Sequence, residues 1–227
     1  MSEFYAKHVL PEDTFKFTCS SCGDCCRNVK ESVMLESLDA YRLARHLKQS
    51  GVDISGVEEM FTEYAMPLTL GDTGYPIFVL KTREHLSSCI FLKKGKCSIY
   101  AARPRTCRLY PLSAKPSDLK GALDCYVLRE KRHHFKDCEH KVSDWMNENF
   151  DMESRVFIEH DYSSTQTLAK LINRLREKGA DEKRVLSLVL YYRYFNFNID
   201  EPFLPQLFNN TNNLIKVLEE MIKGGGG

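Results

Sequence analysis

The sequence predicts a mostly helical α+β protein, with a small cysteine-rich metal-binding region that contains a short hairpin, followed by a helical C-terminal half. All nine cysteines of the 227-residue chain lie between Cys19 and Cys138. After residue 140, apolar residues recur at the three- and four-residue spacing of amphipathic helices. We therefore predict a cysteine-cluster region over 1–140, a helical region packed on it over 141–223, and a flexible glycine tail over 224–227.

Two helices are predicted in the first third of the chain. Apolar residues lie near one face of Leu35–Gln49, with Ser37 as a candidate N-cap and Gly51 just beyond the end. A second, shorter helix starts near Val57 and stops before Pro67, because the residue that precedes a proline disfavours helical backbone.

A strand and a hairpin follow these helices. Ile77–Lys81 is short and apolar and begins after Pro76, which is typical of a strand. Lys93–Lys96 is a polar turn that contains glycine, and it separates two short apolar runs. Cys89 and Cys97 flank this turn, so we expect a hairpin that presents two sulfur atoms.

The last third of the chain contains four helical patterns. The first covers Val142–Phe150, and the second is centred on Leu168–Leu175 and ends at Gly179. Asp181 is a candidate cap for the third helix. The fourth, Leu214–Met221, closes the chain.

Four cysteines lie within eight residues in the pattern C-x2-C-x2-C-C, at Cys19, Cys22, Cys25 and Cys26. Thiols packed so tightly favour a metal, which deprotonates them and neutralises their charge. Nine is an odd number of cysteines, and the first ten residues lack the apolar core of a signal peptide. We therefore expect a cytoplasmic protein with reduced thiols, not a framework of disulfides.

Cys107 lies in a third cysteine-bearing segment of the chain. Pro104 is a candidate first residue of a helical turn from which Cys107 projects. Three arginines, Arg103, Arg105 and Arg108, lie close to it in sequence. We expect Arg103 and Arg108 above all to offset the negative charge of a metal–thiolate centre and to donate hydrogen bonds to sulfur.

The identity of the metal stays open between zinc and iron. Neighbouring side chains usually point apart, so Cys25 and Cys26 suit two metals, or one metal and one outlying sulfur, better than one tetrahedron. Gly23 lets the loop adopt a left-handed backbone. One zinc ion uses four ligands and leaves three or more cysteines without a role, whereas two zinc sites or one polynuclear thiolate cluster could use them. Iron–sulfur clusters use the same number of cysteines. The x2-x2 spacing of Cys19, Cys22 and Cys25 favours iron–sulfur.

Two further cysteines are candidate ligands. We include Cys125 in the predicted ligand set, although its apolar surroundings fit a buried, inert thiol equally well. Cys138 is the weaker candidate. His133, His134 and His140 lie nearby in sequence and could bind metal, whereas a basic solvated run, residues 129–134, explains the first two without one.

The segments CSSCGDCC at 19–26 and C-x7-C-x-I-Y-x2-R-P-x2-C-R-x2-P at 89–111 together resemble the YkgJ-like CxxCxxCC family of zinc- or iron-chelating proteins. That family includes the flagellin lysine-N-methylases. The resemblance covers residues 19–112 and implies seven cysteine ligands, namely Cys19, Cys22, Cys25, Cys26, Cys89, Cys97 and Cys107. It also implies that Arg103, Pro104, Arg108 and Pro111 support the site. Family members often carry a further cysteine followed by proline, whereas Cys125 is followed by Tyr126.

Two functional hypotheses follow. In the first, the cysteines bind one or more iron–sulfur clusters of [4Fe–4S] type, which serve redox chemistry or methyl transfer from S-adenosylmethionine to a protein lysine. In the second, zinc is structural and the helical half is a protein-interaction domain. The expected partners are a protein substrate or a redox partner. A net charge of +1 and the lack of a long apolar run argue against nucleic acid and membrane.

Overall fold

The computed structural model describes residues 6–69, 76–117, 122–128, 134 and 138–224, and it confirms a mostly helical α+β architecture with a helical C-terminal half. The helices are α1 (Ser37–Gln49), α2 (Val57–Tyr64), α3 (Arg105–Leu109), α4 (Val142–Asn149), α5 (Met152–Glu177), α6 (Glu182–Leu190) and α7 (Phe203–Lys223). A short π-helical turn, Tyr191–Phe195, follows α6.

The strands are short and lie mostly in the first 141 residues. They are β1 (Ala6–Val9), β2 (Thr14–Lys16), β3 (Met34–Leu35), β4 (Ala65–Thr69), β5 (Pro76–Leu80), β6 (Thr82–Arg83), β7 (Ser88–Cys89), β8 (Leu92–Lys93), β9 (Lys96–Cys97), β10 (Leu112–Pro116), β11 (Leu123–Leu128) and β12 (Glu139–Lys141). They form two antiparallel three-stranded sheets, ordered β1-β11-β10 and β3-β5-β4. Three antiparallel pairs, β12-β2, β6-β7 and β8-β9, complete the described set.

The predicted helices are present, but α5 and α7 begin well before the predicted patterns, at Met152 and Phe203. Two predicted caps are also shifted by one residue. Glu36, and not Ser37, caps α1, because Glu36 and Asp39 form a reciprocal capping box that makes Ser37 the first helical residue. Pro104 is the N-cap of α3 and not its first helical residue. Asp181 caps α6 as expected, since its side chain accepts a hydrogen bond from the Lys183 amide.

The predicted strand over 77–81 is confirmed and corresponds to β5. The predicted hairpin is the β8–β9 pair, in which Leu92 lies opposite Cys97, but Cys89 lies outside it, on β7, where it pairs with Thr82 of β6. The sequence did not predict β1–β4, β6, β7 or β10–β12. The segments of β2 and β12, TFK and EHK, are too short and too polar to show the alternation of a half-buried strand.

Two hydrophobic cores organise the described residues. The first core runs from Val9 to Leu207 and includes side chains of α4 and of the first turns of α5. The second core lies in what we call the helical end: α5 from Leu168 onward, α6, and α7 from Leu214 onward. Its buried members are Leu168, Leu171, Leu175, Ala180, Val185, Val189, Leu214, Leu218 and Ile222.

The division of the chain at residue 140 stays a prediction, and the packing shows that α4 shares a core with the elements before it. Residues 225–227 of the predicted glycine tail lie outside the described residues. In the described part of the chain, no helix is both long enough and apolar enough to cross a membrane.

Candidate metal centre

The loop that carries the first cysteines is a tight turn. Gly23 has a left-handed backbone, with φ of 73°, and the 3-10 turn Asp24–Cys26 follows it. The Arg27 guanidinium donates hydrogen bonds to the Cys22 carbonyl oxygen, at 2.9 Å, and to the Asp24 carboxylate, at 2.6 Å. The side chain of Arg27 therefore closes the loop on itself and fixes Cys22 relative to the two cysteines that follow.

The same loop packs on the tip of the β8–β9 hairpin. A methyl group added at Gly23 would lie 2.8 Å from the Gly95 carbonyl oxygen and 2.9 Å from a Leu92 methyl carbon. Just after the loop, the amides of Asn28 and Val29 donate hydrogen bonds to the carbonyls of residues 86 and 87. Glycine at 23 thus permits the approach that brings the first cysteine segment to the second.

Helix α3 carries the third cysteine segment and is fixed to α1. The Arg105 amide donates to the buried Asp39 carboxylate at 2.8 Å, and the Arg105 guanidinium forms two hydrogen bonds to Glu36, at 2.6 and 2.8 Å. Burial, and then the charge of Glu36, raise the pKa of Asp39 to about 7. Cys107 lies in the middle of this short helix, so the contacts with α1 determine where its sulfur lies.

Six thiols act on one another electrostatically, and we call them the thiol cluster: Cys22, Cys25, Cys26, Cys89, Cys97 and Cys107. A hydrogen bond from Cys26 lowers the pKa of Cys25 to about 7, against the opposing effect of burial. The pKa of Cys26 is raised by that hydrogen bond, by burial and by the charges of three other thiols in the cluster.

The remaining thiols of the cluster are shifted in the same direction. Burial and then repulsion from Cys89 and Cys25 raise the pKa of Cys107. Burial is also the main cause that raises the pKa of Cys89 and of Cys97, and both are repelled by Cys25. Cys25 therefore lies within electrostatic range of all three cysteine segments.

The adjacent cysteines do not point apart as expected. The sulfur atoms of Cys25 and Cys26 are 3.9 Å apart. Two sulfurs on one tetrahedral metal with bonds of roughly 2.3 Å are separated by about 3.8 Å. The separation is compatible with one tetrahedron, and whether the two sulfurs share a metal stays a prediction.

His134 is buried and faces the cluster. Its Nε2 lies 3.1 Å from the Cys22 sulfur, and its Nδ1 lies 3.2 Å from the Tyr110 hydroxyl. The interpretation of His134 as part of a solvated run is wrong, since the residue is 4% exposed. His133 lies outside the described residues. His140 makes a hydrogen bond at 2.9 Å to the backbone carbonyl of residue 17.

Three predicted or candidate ligands lie apart from the cluster or at its edge. Cys19 is exposed. Cys125 is buried in β11 opposite Val9 and Ala114, and burial followed by Asp124 raises its pKa. This setting favours the alternative of an unliganded thiol. Cys138 is exposed, and its amide donates to the hydroxyl of residue 18. The assignment of the ligands stays a prediction.

The two arginines predicted to support the site have different surroundings. Arg103 acts electrostatically on Cys25 and Cys97, and its guanidinium stacks 3.6 Å from the centre of the Tyr100 ring. The Arg108 guanidinium makes hydrogen bonds to Asp151, at 3.4 Å, and Ser154, at 3.2 Å, at the start of α5. Within the part of the chain that the structure describes, the buried Nε of Arg108 has no hydrogen-bond partner. A role for Arg108 at the thiols stays a prediction.

The donor set fits zinc or iron chemically. Soft thiolates with an imidazole are the ligands that both metals accept. Among the described residues, no three Cys, His, Asp or Glu side chains already stand at the spacing that a metal ion needs. The described thiols are gathered and partly buried, and a metal ion would supply the positive charge that lets them ionise together.

Sequence reasoning named His134 as a possible ligand but preferred a solvated run, because no spacing rule connects it to Cys22. It missed Asp39 altogether. Asp39 was hidden in a helical pattern, although an acidic residue three positions after Glu36 is the signal of a capping box.

Neither the curated proteins nor the solved structures contain a significant match to this chain. A family model does match, over residues 18–141 of the 227 residues, and is described as CxxCxxCC, "Putative zinc- or iron-chelating domain". The matched range contains all nine cysteines and His134. Because it covers more than half of the chain, the chain belongs to the CxxCxxCC family of zinc- or iron-chelating domains.

Proposed function

We propose that the thiol cluster binds an iron–sulfur centre of the [4Fe–4S] type, with Cys19 as a further donor at its exposed edge. The observation that carries this proposal is the gathering of six thiols, from three separate segments, around Cys25. One zinc ion uses four ligands. One [4Fe–4S] cluster likewise takes four cysteines, so the number of thiols exceeds one centre of either kind. The x2-x2 spacing of Cys19, Cys22 and Cys25 is what favours iron–sulfur.

An iron–sulfur centre, when bound, supplies one-electron transfer at a potential that its surroundings tune. The chain's own part is to hold the sulfurs and to limit the access of water. Cys89 is buried, and Cys97 and Cys107 are half-buried. The Arg103 guanidinium offsets thiolate charge at Cys25 and Cys97. We further propose that the protein is cytoplasmic, where thiols stay reduced.

Two activities are proposed for such a centre. The first is electron transfer to a protein redox partner. The second is methyl transfer from S-adenosylmethionine to a protein lysine, which rests on the family resemblance. Titration calorimetry with S-adenosylmethionine separates them. Saturable binding supports the methyl-transfer role, whereas reversible reduction by dithionite without such binding supports electron transfer.

Metal and sulfide analysis of anaerobically purified protein tests the centre itself. We expect iron and acid-labile sulfide in equal amounts, a brown colour and loss of both in air. Cys97→Ser should lower the iron content, and Cys125→Ser is the matched control because that thiol lies in the β1-β11-β10 sheet. Stoichiometric zinc without sulfide or visible absorption would contradict the iron–sulfur proposal.

A structural zinc site is the second candidate. The 3.9 Å separation of the Cys25 and Cys26 sulfurs favours it, because this distance is close to the edge of one zinc–thiolate tetrahedron. In that case the metal stabilises the fold and the helical end is a surface for a protein partner. The same metal analysis decides between the two candidates.

A further inference from the structure

An imidazole faces the thiol cluster from a segment without any of the seven cysteines of the family motif. The His134 ring places Nε2 3.1 Å from the Cys22 sulfur, in contact with the first cysteine loop. A tetrahedral metal with bonds of roughly 2.3 Å to sulfur and 2.0 Å to nitrogen separates the two donors by about 3.5 Å. A shift of about half an ångström would therefore let both atoms share one metal ion.

The surroundings of His134 hold the ring in this orientation. The ring stands edge-on to Phe17, at 88° with centroids 6.0 Å apart, and to Tyr110, at 85° with centroids 5.8 Å apart. The backbone carbonyl of His134 accepts a hydrogen bond from the amide of residue 18 at 2.9 Å. With 4% of the residue exposed, rotation of the ring into water would leave a cavity in the packed interior.

Nδ1, the ring nitrogen of His134 that does not face Cys22, also has a hydrogen-bond partner. Tyr110 Oη lies 3.2 Å from Nδ1. When Nδ1 carries the proton and donates it to that oxygen, the lone pair of Nε2 points towards Cys22. Histidines that bind metals commonly donate their other ring N–H to an oxygen in this way, which fixes both the tautomer and the direction of the ring.

We propose that His134 is a metal ligand through Nε2, sharing a metal ion with Cys22, and that Tyr110 is its positioning residue. The inference rests on the proposed metal centre. A neutral imidazole in place of a thiolate makes the centre less negative by one charge. In an iron–sulfur cluster this raises the reduction potential, and in a zinc site it gives a mixed cysteine–histidine set.

X-ray absorption on the metal-loaded protein tests the proposal directly, because it counts nitrogen and sulfur neighbours whichever metal is bound. For iron, pulsed electron paramagnetic resonance of the reduced protein labelled with ¹⁵N-histidine gives a second measurement. We expect one nitrogen neighbour at about 2.0 Å in the wild-type protein. It should be absent in His134→Ala and retained in His140→Ala, the matched control whose ring bonds a backbone carbonyl.

Two further variants keep the test independent of folding defects. His134→Cys restores a donor, so the metal content should recover while the nitrogen neighbour stays absent. Tyr110→Phe removes only the hydroxyl partner of Nδ1. We expect it to retain the nitrogen neighbour and to lose metal to a chelator about 10- to 100-fold faster, as is typical when an outer partner of a ligand is removed.

Two other outcomes would contradict the proposed role of His134, and they differ in what they say about the metal centre. Wild-type protein with bound metal and sulfur neighbours alone would show that His134 is not a ligand. If His134→Ala then still loses metal faster, the imidazole acts as a hydrogen-bond donor to the Cys22 thiolate. Wild-type protein that binds neither iron nor zinc would overturn the metal centre itself, together with this inference.

Discussion

The thiol cluster and the helical end are built from different kinds of backbone. The helical end consists of three helices whose buried residues recur at helical spacing. In the thiol cluster, Cys25 and Cys26 lie in a three-residue turn, Cys89 and Cys97 on two-residue strands, Cys107 on the five-residue helix α3, and Cys22 in the loop before the turn. Six described non-glycine residues have left-handed φ angles, and all lie between positions 21 and 94: Ser21, Asn28, Glu31, Leu86, Ser87 and Lys94.

This difference shows where the stabilising free energy of each region comes from. Regular helices satisfy their own backbone and need only an apolar face to pack. Non-glycine residues in left-handed backbone cost about 1–2 kcal/mol each, which other interactions must offset. At the thiol cluster those interactions are the contacts between the cysteine segments and, on our proposal, the metal.

Removing the metal should have the largest effect, and the effect should stay local. Metal binding contributes on the order of 10 kcal/mol to the folding of small thiolate sites. We expect a chelator, or Cys97→Ser, to abolish protection from amide hydrogen exchange in β6–β9 and α3 while the helical end stays protected.

The control for this experiment is Cys138→Ser, because Cys138 is exposed and lies outside the thiol cluster. That variant should keep the metal and the exchange pattern of the wild-type protein. Loss of protection across both regions together would show that the two do not differ in their dependence on the metal.

Leu214→Ala should destabilise the helical end and leave the metal bound. Leu214 is fully buried in the second core, and truncation of a buried leucine costs about 2–5 kcal/mol. Chemical denaturation should show this loss at the helical end, with the metal content unchanged. Lys216→Ala, two residues along the same helix and exposed, should change stability by no more than about 0.5 kcal/mol.

Gly23→Ala tests the contact that joins the cysteine segments. Alanine there adds a clash with the Gly95 carbonyl to the cost of left-handed backbone, so we expect a loss of roughly 2–4 kcal/mol and weaker metal retention. Gly51→Ala is the matched control. Its φ is 81° and its added methyl group meets no atom within 4 Å, so it isolates the backbone cost of about 1–2 kcal/mol. Equal losses in thermal unfolding would show that the Gly23–Gly95 contact contributes nothing.

Asp151→Ala should have the smallest effect, at the start of the helix that both cores share. Burial works to raise the pKa of Asp151, but hydrogen bonds from Arg42 and from the Ser154 amide outweigh it and hold the pKa at about 2. A lost N-cap costs about 1 kcal/mol. Because the folded state lowers this pKa, the contribution is complete above pH of about 4 and disappears as the pH falls through about 2. Denaturation of both proteins at pH 7 and pH 2 should give a difference only at pH 7.

The sequence predicts the helical end well because a single rule, the spacing of apolar residues, determines it. Leu168, Leu171 and Leu175 were recognisable from that rule and are buried as expected. The gathering of Cys26, Cys89 and Cys107 was also predictable, since neither cysteine group alone completes a site.

The parts that the sequence did not predict depend on contacts between distant residues. His134 meets Cys22 across 112 positions, and Arg105 meets Glu36 across 69. The strands β2 and β12 are three residues each and exist because they pair with one another. No local pattern encodes such pairs, because each member takes its conformation from its partner.

The cysteines differ in exposure, from the surface to the interior of the protein. Cys19 and Cys25 lie at the surface, Cys22, Cys26, Cys97 and Cys107 are half-buried, and Cys89 is buried. On our proposal of a metal centre, an incoming ion would therefore meet the exposed Cys25 before the buried Cys89.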